Sequence, residues 1–153
     1  MPRFKGHLTR TFTTRARPEQ VCELLSNPRT WIDHQEEIEH TEDLGNNTLQ
    51  VRLREHQHGP AKFQAVYRCT WQRLPDGARW DSEDGANFAV HGRVRVRGVA
   101  SGSEVTWDES VEADVPVPRL MVRVVRPVAE RLMSRGIAKF IEQMNTELDR
   151  LAG

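Results

Sequence analysis

Apolar and polar residues alternate over a long middle stretch of the chain, and this pattern limits the possible folds more than any other feature. It recurs in segments separated by the turn signals Gly45-Asn46-Asn47, Pro75-Asp76-Gly77 and Ser101-Gly102-Ser103. Successive side chains of a strand point to opposite faces, so these segments predict an antiparallel meander with one buried and one solvated face. The buried face then requires a cover.

The segment after Pro118 can supply that cover. An apolar or small residue occupies every fourth position, which predicts a long amphipathic helix. This stripe consists of Leu120, Val124, Val128, Leu132, Gly136, Phe140, Met144 and Leu148. Proline interrupts the hydrogen bonding of a helix, so we expect a kink or a break beside Pro127.

The N-terminal part predicts one strand and two short helices. Residues 7–14 alternate like a strand, and residues 18–25 form an amphipathic helical pattern that begins at Pro18 and ends before Asn27-Pro28. A further helical turn over residues 30–35 contains Trp31. The 153 residues are enough for a single domain spanning 1–153.

The composition limits the kinds of partner and the cellular location that we expect. Lys+Arg and Asp+Glu are equal at 22 each, without the basic excess that most nucleic-acid binders show, so we expect no nucleic-acid partner. The preference for arginine over lysine is typical of a GC-rich bacterial genome. Cys22 and Cys69 lack the spacing of a metal-binding motif, so we interpret both as small core residues. No signal-peptide pattern or long apolar run is visible, so we expect a cytoplasmic protein.

Three local motifs point to a known family. Ala16-Arg17-Pro18-Glu19-Gln20-Val21 is followed by Asn27-Pro28-Arg29-Thr30-Trp31, and Ser103-Glu104-Val105-Thr106-Trp107 occurs in the last strand pattern. Together they resemble the START-related (SRPBCC) superfamily, which includes polyketide cyclase-like and lipid-transport-like proteins. The resemblance implies an α+β helix-grip fold. In that fold a curved antiparallel sheet of about seven strands wraps around a long C-terminal helix, with two short helices after the first strand.

The resemblance also implies an apolar cavity between sheet and helix, and a hydrophobic ligand such as a lipid, polyketide or isoprenoid. Strand parity and the helical stripe identify the residues expected to line it. These are Phe63, Tyr67, Trp80, Phe88, Val90, Trp107, Glu109, Val124, Val128 and Leu132. The alternative is that they fill a solid core.

Glu109 and Tyr67 are the two polar members of this set. Glu109 shares its strand face with Trp107 and Val111, which directs it inward. In an apolar pocket its pKa would rise and it could anchor a polar group of a ligand. It could instead reach water at the cavity rim or pair with Arg123 or Arg126.

Residues for a defined reaction are absent from the sequence pattern. There is no Ser-His-Asp order, phosphate loop or nucleophile elbow, so binding is favoured over catalysis, with no cofactor and no metal. His56 and His58 are interpreted as a solvated pair, and Asp33, His34 and Glu37 as a polar surface. A polyketide aromatase/cyclase-like enzyme remains one alternative. An interaction module without a ligand, using an apolar patch over residues 117–125, remains another.

The predicted helix also has a basic first half. Its arginines are Arg119, Arg123, Arg126, Arg131 and Arg135. Such a segment could make peripheral contact with an anionic membrane, or it could simply form a solvated face. The oligomeric state is left open.

Overall fold

A computed structural model describes residues 2–58 and 61–153 of the chain, without the side chains of His58 and Ala61. In chain order the elements are β1 (Arg3–Thr14), α1 (Pro18–Leu25), α2 (Pro28–His34), β2 (Ile38–Gly45), β3 (Thr48–Leu53), β4 (His56–His58), β5 (Ala61–Phe63), β6 (Val66–Leu74), β7 (Gly77–Ser82), β8 (Phe88–Val99), β9 (Gly102–Asp114) and α3 (Arg119–Ala152).

Seven of the strands form one curved antiparallel sheet in the order β1-β9-β8-β7-β6-β3-β2, and β4 and β5 form a separate two-stranded ribbon. This architecture confirms the predicted fold class. The alternation in β9 also holds, because Val105, Trp107 and Glu109 are buried on one face while Asp108 on the other is exposed.

Two parts of the sheet differ from the prediction. β2 was not predicted because its residues are mostly exposed and lack a clear alternation. The segment around Phe63 and Tyr67, which the pattern presents as one strand, is divided between β5 and β6. Phe63 therefore belongs to the small ribbon, where it pairs with His56, and lies outside the seven-stranded sheet.

α3 covers the sheet mainly with its second half, where Ile137, Phe140, Ile141, Met144 and Leu148 are buried. A strict four-residue repeat drifts by about 40° per step around an α-helix, so the predicted stripe winds around α3. The part of the stripe that precedes Gly136 therefore faces away from the sheet. α3 continues through Pro127 without a break.

The first half of α3 runs along β1, the edge strand of the sheet. The backbone N–H of Lys5 donates to the Glu130 carboxylate at 2.7 Å, and the Arg126 guanidinium donates to the Arg3 carbonyl at 2.9 Å. Gly6 allows close approach, because a Cβ at this position would lie 2.6 Å from the Met133 Cβ. α3 thus protects an edge that could otherwise pair with another strand.

The end of α3 is tied to the end of β1. The Asp149 carboxylate accepts hydrogen bonds from the Thr14 hydroxyl at 2.7 Å and from the Arg15 backbone N–H at 2.9 Å. These bonds favour the charged carboxylate and lower its pKa. Both halves of α3 are therefore held against β1. A cavity lies between the middle of α3 and the sheet.

Candidate functional site

A cavity of about 390 Å³ lies between the concave face of the sheet and the middle of α3. Its wall is mostly apolar and aromatic, and the sheet supplies most of it. The sheet residues are Leu53, Tyr67, Cys69, Trp71, Trp80, Phe88, Val90, Glu109 and Val111. α3 contributes Met133, Gly136, Ile137, Lys139, Phe140 and Gln143, and the α2 region contributes Trp31, His34, Gln35, Glu36 and Glu37.

All four tryptophans of the chain meet in one cluster beside the cavity. The Trp31 ring centroid lies 4.6 Å from that of Trp80 and 4.5 Å from that of Phe140, with which it stacks. Trp71 and Trp107 are 5.8 and 6.1 Å from Trp31. Trp31 therefore joins α2 to the sheet and to α3, and forms part of the cavity wall.

Glu109 is the carboxylate of this site, and it is only 4% exposed. Its Oε1 accepts a hydrogen bond from the Trp80 indole N–H at 3.0 Å. Burial raises the pKa of Glu109 to about 8, opposed by the indole N–H groups of Trp80 and, outside regular hydrogen-bond geometry, Trp107. At neutral pH the carboxyl group is therefore mainly protonated and can donate a hydrogen bond.

Among the described residues, no arginine forms an ion pair with Glu109, so the predicted alternative of a pair with Arg123 or Arg126 is wrong. Arg126 instead contacts the Arg3 carbonyl and the Glu130 carboxylate, and Arg123 is exposed. The Arg126 guanidinium also lies 5.0 Å from the centroid of the Phe4 ring, so it is engaged at the start of β1.

Trp80, Gly92 and Glu109 lie side by side on three adjacent strands. Gly92 pairs with Trp80 of β7 on one side and with Glu109 of β9 on the other. A Cβ at Gly92 would overlap the Trp80 indole ring, so the missing side chain lets the indole cross β8 and reach the carboxyl group. Glycine inside a strand often marks such a close approach.

Replacing Gly92 with alanine should destabilise the protein by about 1–3 kcal/mol, because the new methyl group displaces the Trp80 indole. It should also break the hydrogen bond to Glu109. Urea unfolding measures the first effect, and the control is Gly136→Ala, where a Cβ meets nothing within 4 Å. That helical substitution should be neutral or stabilise by up to about 1 kcal/mol. Equal stabilities of the two variants would contradict the proposed crossing.

Tyr67 and Cys69 contribute two further polar groups to the part of the cavity wall that the sheet forms. Burial raises the pKa of the Tyr67 phenol far above its ordinary value, with no hydrogen bond from the described residues to oppose it. Burial also raises the pKa of the Cys69 thiol to about 12, so the thiol is not a reactive thiolate at neutral pH. Trp71 contributes a buried indole N–H that has no acceptor in the described part of the chain.

Half of the residues predicted to line a cavity do so: Tyr67, Trp80, Phe88, Val90 and Glu109. The structure places the others elsewhere. Phe63 is in the ribbon, Trp107 is fully buried behind the cavity wall, and Val124, Val128 and Leu132 are exposed on α3. The helical residues are displaced because the repeat that groups them winds away from the sheet.

Several wall residues were not among the predicted ones, although the sequence contained a signal for some of them. Trp71 and Cys69 have the same strand parity as Tyr67, and Val111 has that of Glu109. Phe140 and Gly136 belong to the helical stripe. Trp31 had no such signal, because its position depends on how α2 packs against the sheet.

Among the described side chains, His34 is the one histidine on the cavity wall. His34 is half-buried at the rim and its Nδ1 is 2.7 Å from the Thr30 carbonyl. His56 contacts the Glu37 carboxylate at 2.7 Å, while the side chain of His58 lies outside the described residues. Within the described chain, no group of three or more histidine, cysteine or acidic side chains is arranged to hold a metal ion.

No protein-family model and no curated protein sequence matches the chain. Its similarity to solved structures is extensive but remote. TTHA0849 from Thermus thermophilus has 14% identity and a TM-score of 0.66, over 97% of this chain and 99% of that one. The Zhui aromatase/cyclase from Streptomyces sp. R1128 has 14% identity and a TM-score of 0.64, over 95% and 94%.

A third similar structure comes from a plant. Norcoclaurine synthase from Thalictrum, in complex with a transition state analogue, has 14% identity and a TM-score of 0.57, over 96% of this chain and 98% of that one. Identities this low establish the fold alone. With its seven-stranded curved sheet, two short helices after β1 and long C-terminal helix, the chain has the helix-grip fold.

Proposed function

We propose that the protein binds a hydrophobic small molecule, such as a lipid, polyketide or isoprenoid, in the cavity between the sheet and α3. The cavity volume of about 390 Å³ falls in the usual range for small-molecule sites. Its wall combines aromatic surface with a few polar atoms, as such sites generally do. The driving force would be removal of the apolar ligand from water.

The observation that carries this proposal is a set of polar groups on the wall that the protein leaves incompletely paired. Glu109 has one indole partner, the Tyr67 phenol has none among the described residues, and the Trp71 N–H is buried without an acceptor. Leaving such groups unpaired is costly. All three can donate a hydrogen bond at neutral pH, so they favour an uncharged ligand whose apolar body carries oxygen acceptors such as carbonyl groups.

Blocking the cavity mouth should abolish ligand uptake. Gly136 lies on the cavity wall and is exposed, and a side chain there meets open space. The Gly136→Trp variant should therefore bind the neutral fluorescent probe N-phenyl-1-naphthylamine at least tenfold more weakly than the wild type, because the indole occupies the entrance. Probe fluorescence and quenching of the tryptophan cluster measure the binding.

The matched control for this variant is Leu151→Trp, which adds an indole to an exposed position near the end of the same helix. It should bind the probe like the wild type. Equal probe binding by all three proteins, or no binding by any of them, would refute a ligand site in this cavity.

A polyketide aromatase/cyclase-like enzyme is a second candidate, favoured by the raised pKa of Glu109 beside the Tyr67 phenol. A carboxyl group with a pKa of about 8 can donate and accept protons near neutral pH. Aromatase/cyclase activity belongs to one of the similar structures by its name. If the protein is an enzyme of this kind, its Glu109→Gln variant should bind a poly-β-ketone analogue but fail to convert it. If the protein only binds ligands, the wild type and the variant should both release the analogue unchanged.

Transport and cellular location are parts of the same proposal. Exchange of a ligand through the mouth at Gly136 would make the protein a carrier, and the compartment we propose is the cytoplasm. Cys22 and Cys69 are both buried and unpaired, as is usual for proteins of a reducing compartment. An interaction module without a ligand would show no probe binding, which the mouth variant and its control also test.

A further inference from the structure

The outward side of the first half of α3 presents a row of apolar side chains to solvent. Leu120 is 93% exposed, Val124 69%, Val128 61% and Leu132 54%. These four residues follow one another at four-residue intervals on the side of the helix opposite β1. Scattered exposed apolar residues are common, but a contiguous row of this kind marks an interaction surface.

Positive charge accompanies this row. Arg119, Arg123, Arg131 and Arg135 are exposed, and none of them forms an ion pair with the described residues. Glu130, the only acidic residue between Arg119 and Gly136, is turned towards β1, where it contacts the Lys5 N–H and Arg126. We call the four apolar residues and the four arginines together the α3 outer face.

We propose that the α3 outer face docks peripherally on an anionic lipid bilayer. A helix that lies in the membrane interface inserts an apolar face and places arginines beside lipid phosphates, and this face has both components. None of the helices built from residues 2–58 and 61–153 combines the length and apolar composition needed to cross a bilayer.

Charge distinguishes the bilayer from a second copy of the chain. Two-fold pairing of the α3 outer face would bring two sets of four unpaired arginines together with no acidic group on either face to neutralise them. An anionic bilayer provides the opposite charge and an apolar layer below it. An anionic bilayer therefore complements both the arginines and the apolar row of this face.

The position of the face relative to the cavity gives the contact a geometric consequence. Leu132, the last residue of the apolar row, precedes Met133 and Gly136 on the cavity wall. Docking therefore brings the cavity mouth close to the bilayer. The docking proposal rests on the exposed residues alone and would stand even if the cavity bound no lipid.

Vesicle co-sedimentation of the full chain tests the proposal. The protein should bind vesicles of equimolar phosphatidylcholine and phosphatidylglycerol at low salt, and not vesicles of phosphatidylcholine alone. High salt should weaken the binding because it screens exposed charges. The Arg123→Glu/Arg131→Glu variant should bind the anionic vesicles at least about tenfold more weakly than the wild type, because each basic residue contributes to binding at an anionic surface.

The matched charge control is Arg54→Glu/Arg95→Glu, which makes the same charge change at exposed positions in the β3–β4 connection and on β8. It should retain most of the binding. The apolar arm compares Leu120→Gln/Val124→Gln with Leu44→Gln, an exposed leucine on β2. Only the former should lose binding. Circular dichroism shows that each variant is folded, which is expected because every substituted side chain is exposed.

Four outcomes would overturn the proposal: no binding of the wild type to anionic vesicles at low salt, equal losses in the charge variant and its control, binding unaffected by Leu120→Gln/Val124→Gln, or a wild-type dimer in sedimentation equilibrium that this variant dissociates. The last result would show that a second copy occupies the face. Because probe binding in the cavity is measured without vesicles, failure of the docking is distinguishable from failure of the ligand site.

Discussion

The Glu109→Gln variant is expected to become progressively more stable than the wild type as the pH rises from about 4.5 to about 8. The pKa of Glu109 is raised from 4.5 to about 8 by burial in the folded protein. Between these values the folded protein holds a proton on Glu109 that the unfolded chain has released. Binding of more protons by the folded state makes the free energy of unfolding fall as the pH increases.

The size of this effect follows from the width of the window. Each pH unit corresponds to about 1.4 kcal/mol, so ionisation of Glu109 removes on the order of 5 kcal/mol of wild-type stability across this window. Glutamine has the same shape and can accept the Trp80 hydrogen bond, but it carries no proton to lose. The stability difference should therefore be small below pH 4.5 and level off above pH 8.

Urea unfolding of both proteins at several pH values measures the difference. The control is Glu104→Gln, a conservative change on the same strand at a half-buried position that pairs with Arg97. Because this variant keeps Glu109, it should still lose stability between pH 4.5 and about 8. Parallel slopes for the wild type and Glu109→Gln would mean that Glu109 titrates as an ordinary exposed carboxylate, and would remove its role as a neutral donor in the cavity.

Replacing Trp31 with alanine is expected to lower the free energy of unfolding by about 3–5 kcal/mol, the usual cost of removing a buried large aromatic side chain. Trp31 is buried and contacts the rings of Trp80 and Phe140 at centroid distances of 4.6 and 4.5 Å. Its indole N–H also reaches the Leu25 carbonyl at the end of α1, at 3.4 Å. Its loss removes the main link between α2 and the remaining core.

Two measurements check this expectation. Urea unfolding gives the loss of stability, and near-ultraviolet circular dichroism reports the coupled tryptophan rings. Ile32→Ala is the matched control, because Ile32 is the neighbouring residue of α2 and only half-buried. It should cost about 1 kcal/mol. A loss below that of Ile32→Ala would show that Trp31 merely covers the cluster and does not hold it together.

The two predictions concern the same structural unit. Trp31 packs on Trp80, and Trp80 hydrogen-bonds Glu109 across Gly92. A change in α2 can therefore reach the carboxyl group of the cavity through one aromatic ring. This gives the tryptophan cluster a role in positioning Glu109 as well as in stability.

The sequence was most informative where a local rule decides the outcome. Strand parity placed Tyr67, Trp80 and Glu109 on the inner face, and the structure has them there because each strand keeps its alternation. The turn at Pro75-Asp76-Gly77 and the start of α1 at Pro18 are likewise local. The helix-grip fold class was implied by the resemblance to the START-related superfamily.

The sequence was least informative about α3. Its four-residue repeat correctly predicted a long helix, but it could not say which part of the helix faces the sheet. Val124, Val128 and Leu132 were grouped with Phe140 because they share the repeat, yet they are exposed while Phe140 is buried. The repeat describes positions along one helix, whereas burial depends on where that helix lies relative to β1.

The sequence by itself thus determined most of the elements, the inward direction of Glu109 and the presence of an apolar cover for the sheet. Only the tertiary structure decided that the first half of α3 lies against an edge strand, that the Trp80 indole crosses Gly92, and that Gly136 is exposed on the cavity wall. The physical reason is the separation along the chain of the residues that decide each feature. Backbone geometry fixes the direction of a side chain from its immediate neighbours, whereas a cavity and an exposed face arise from the spacing of elements distant in the chain.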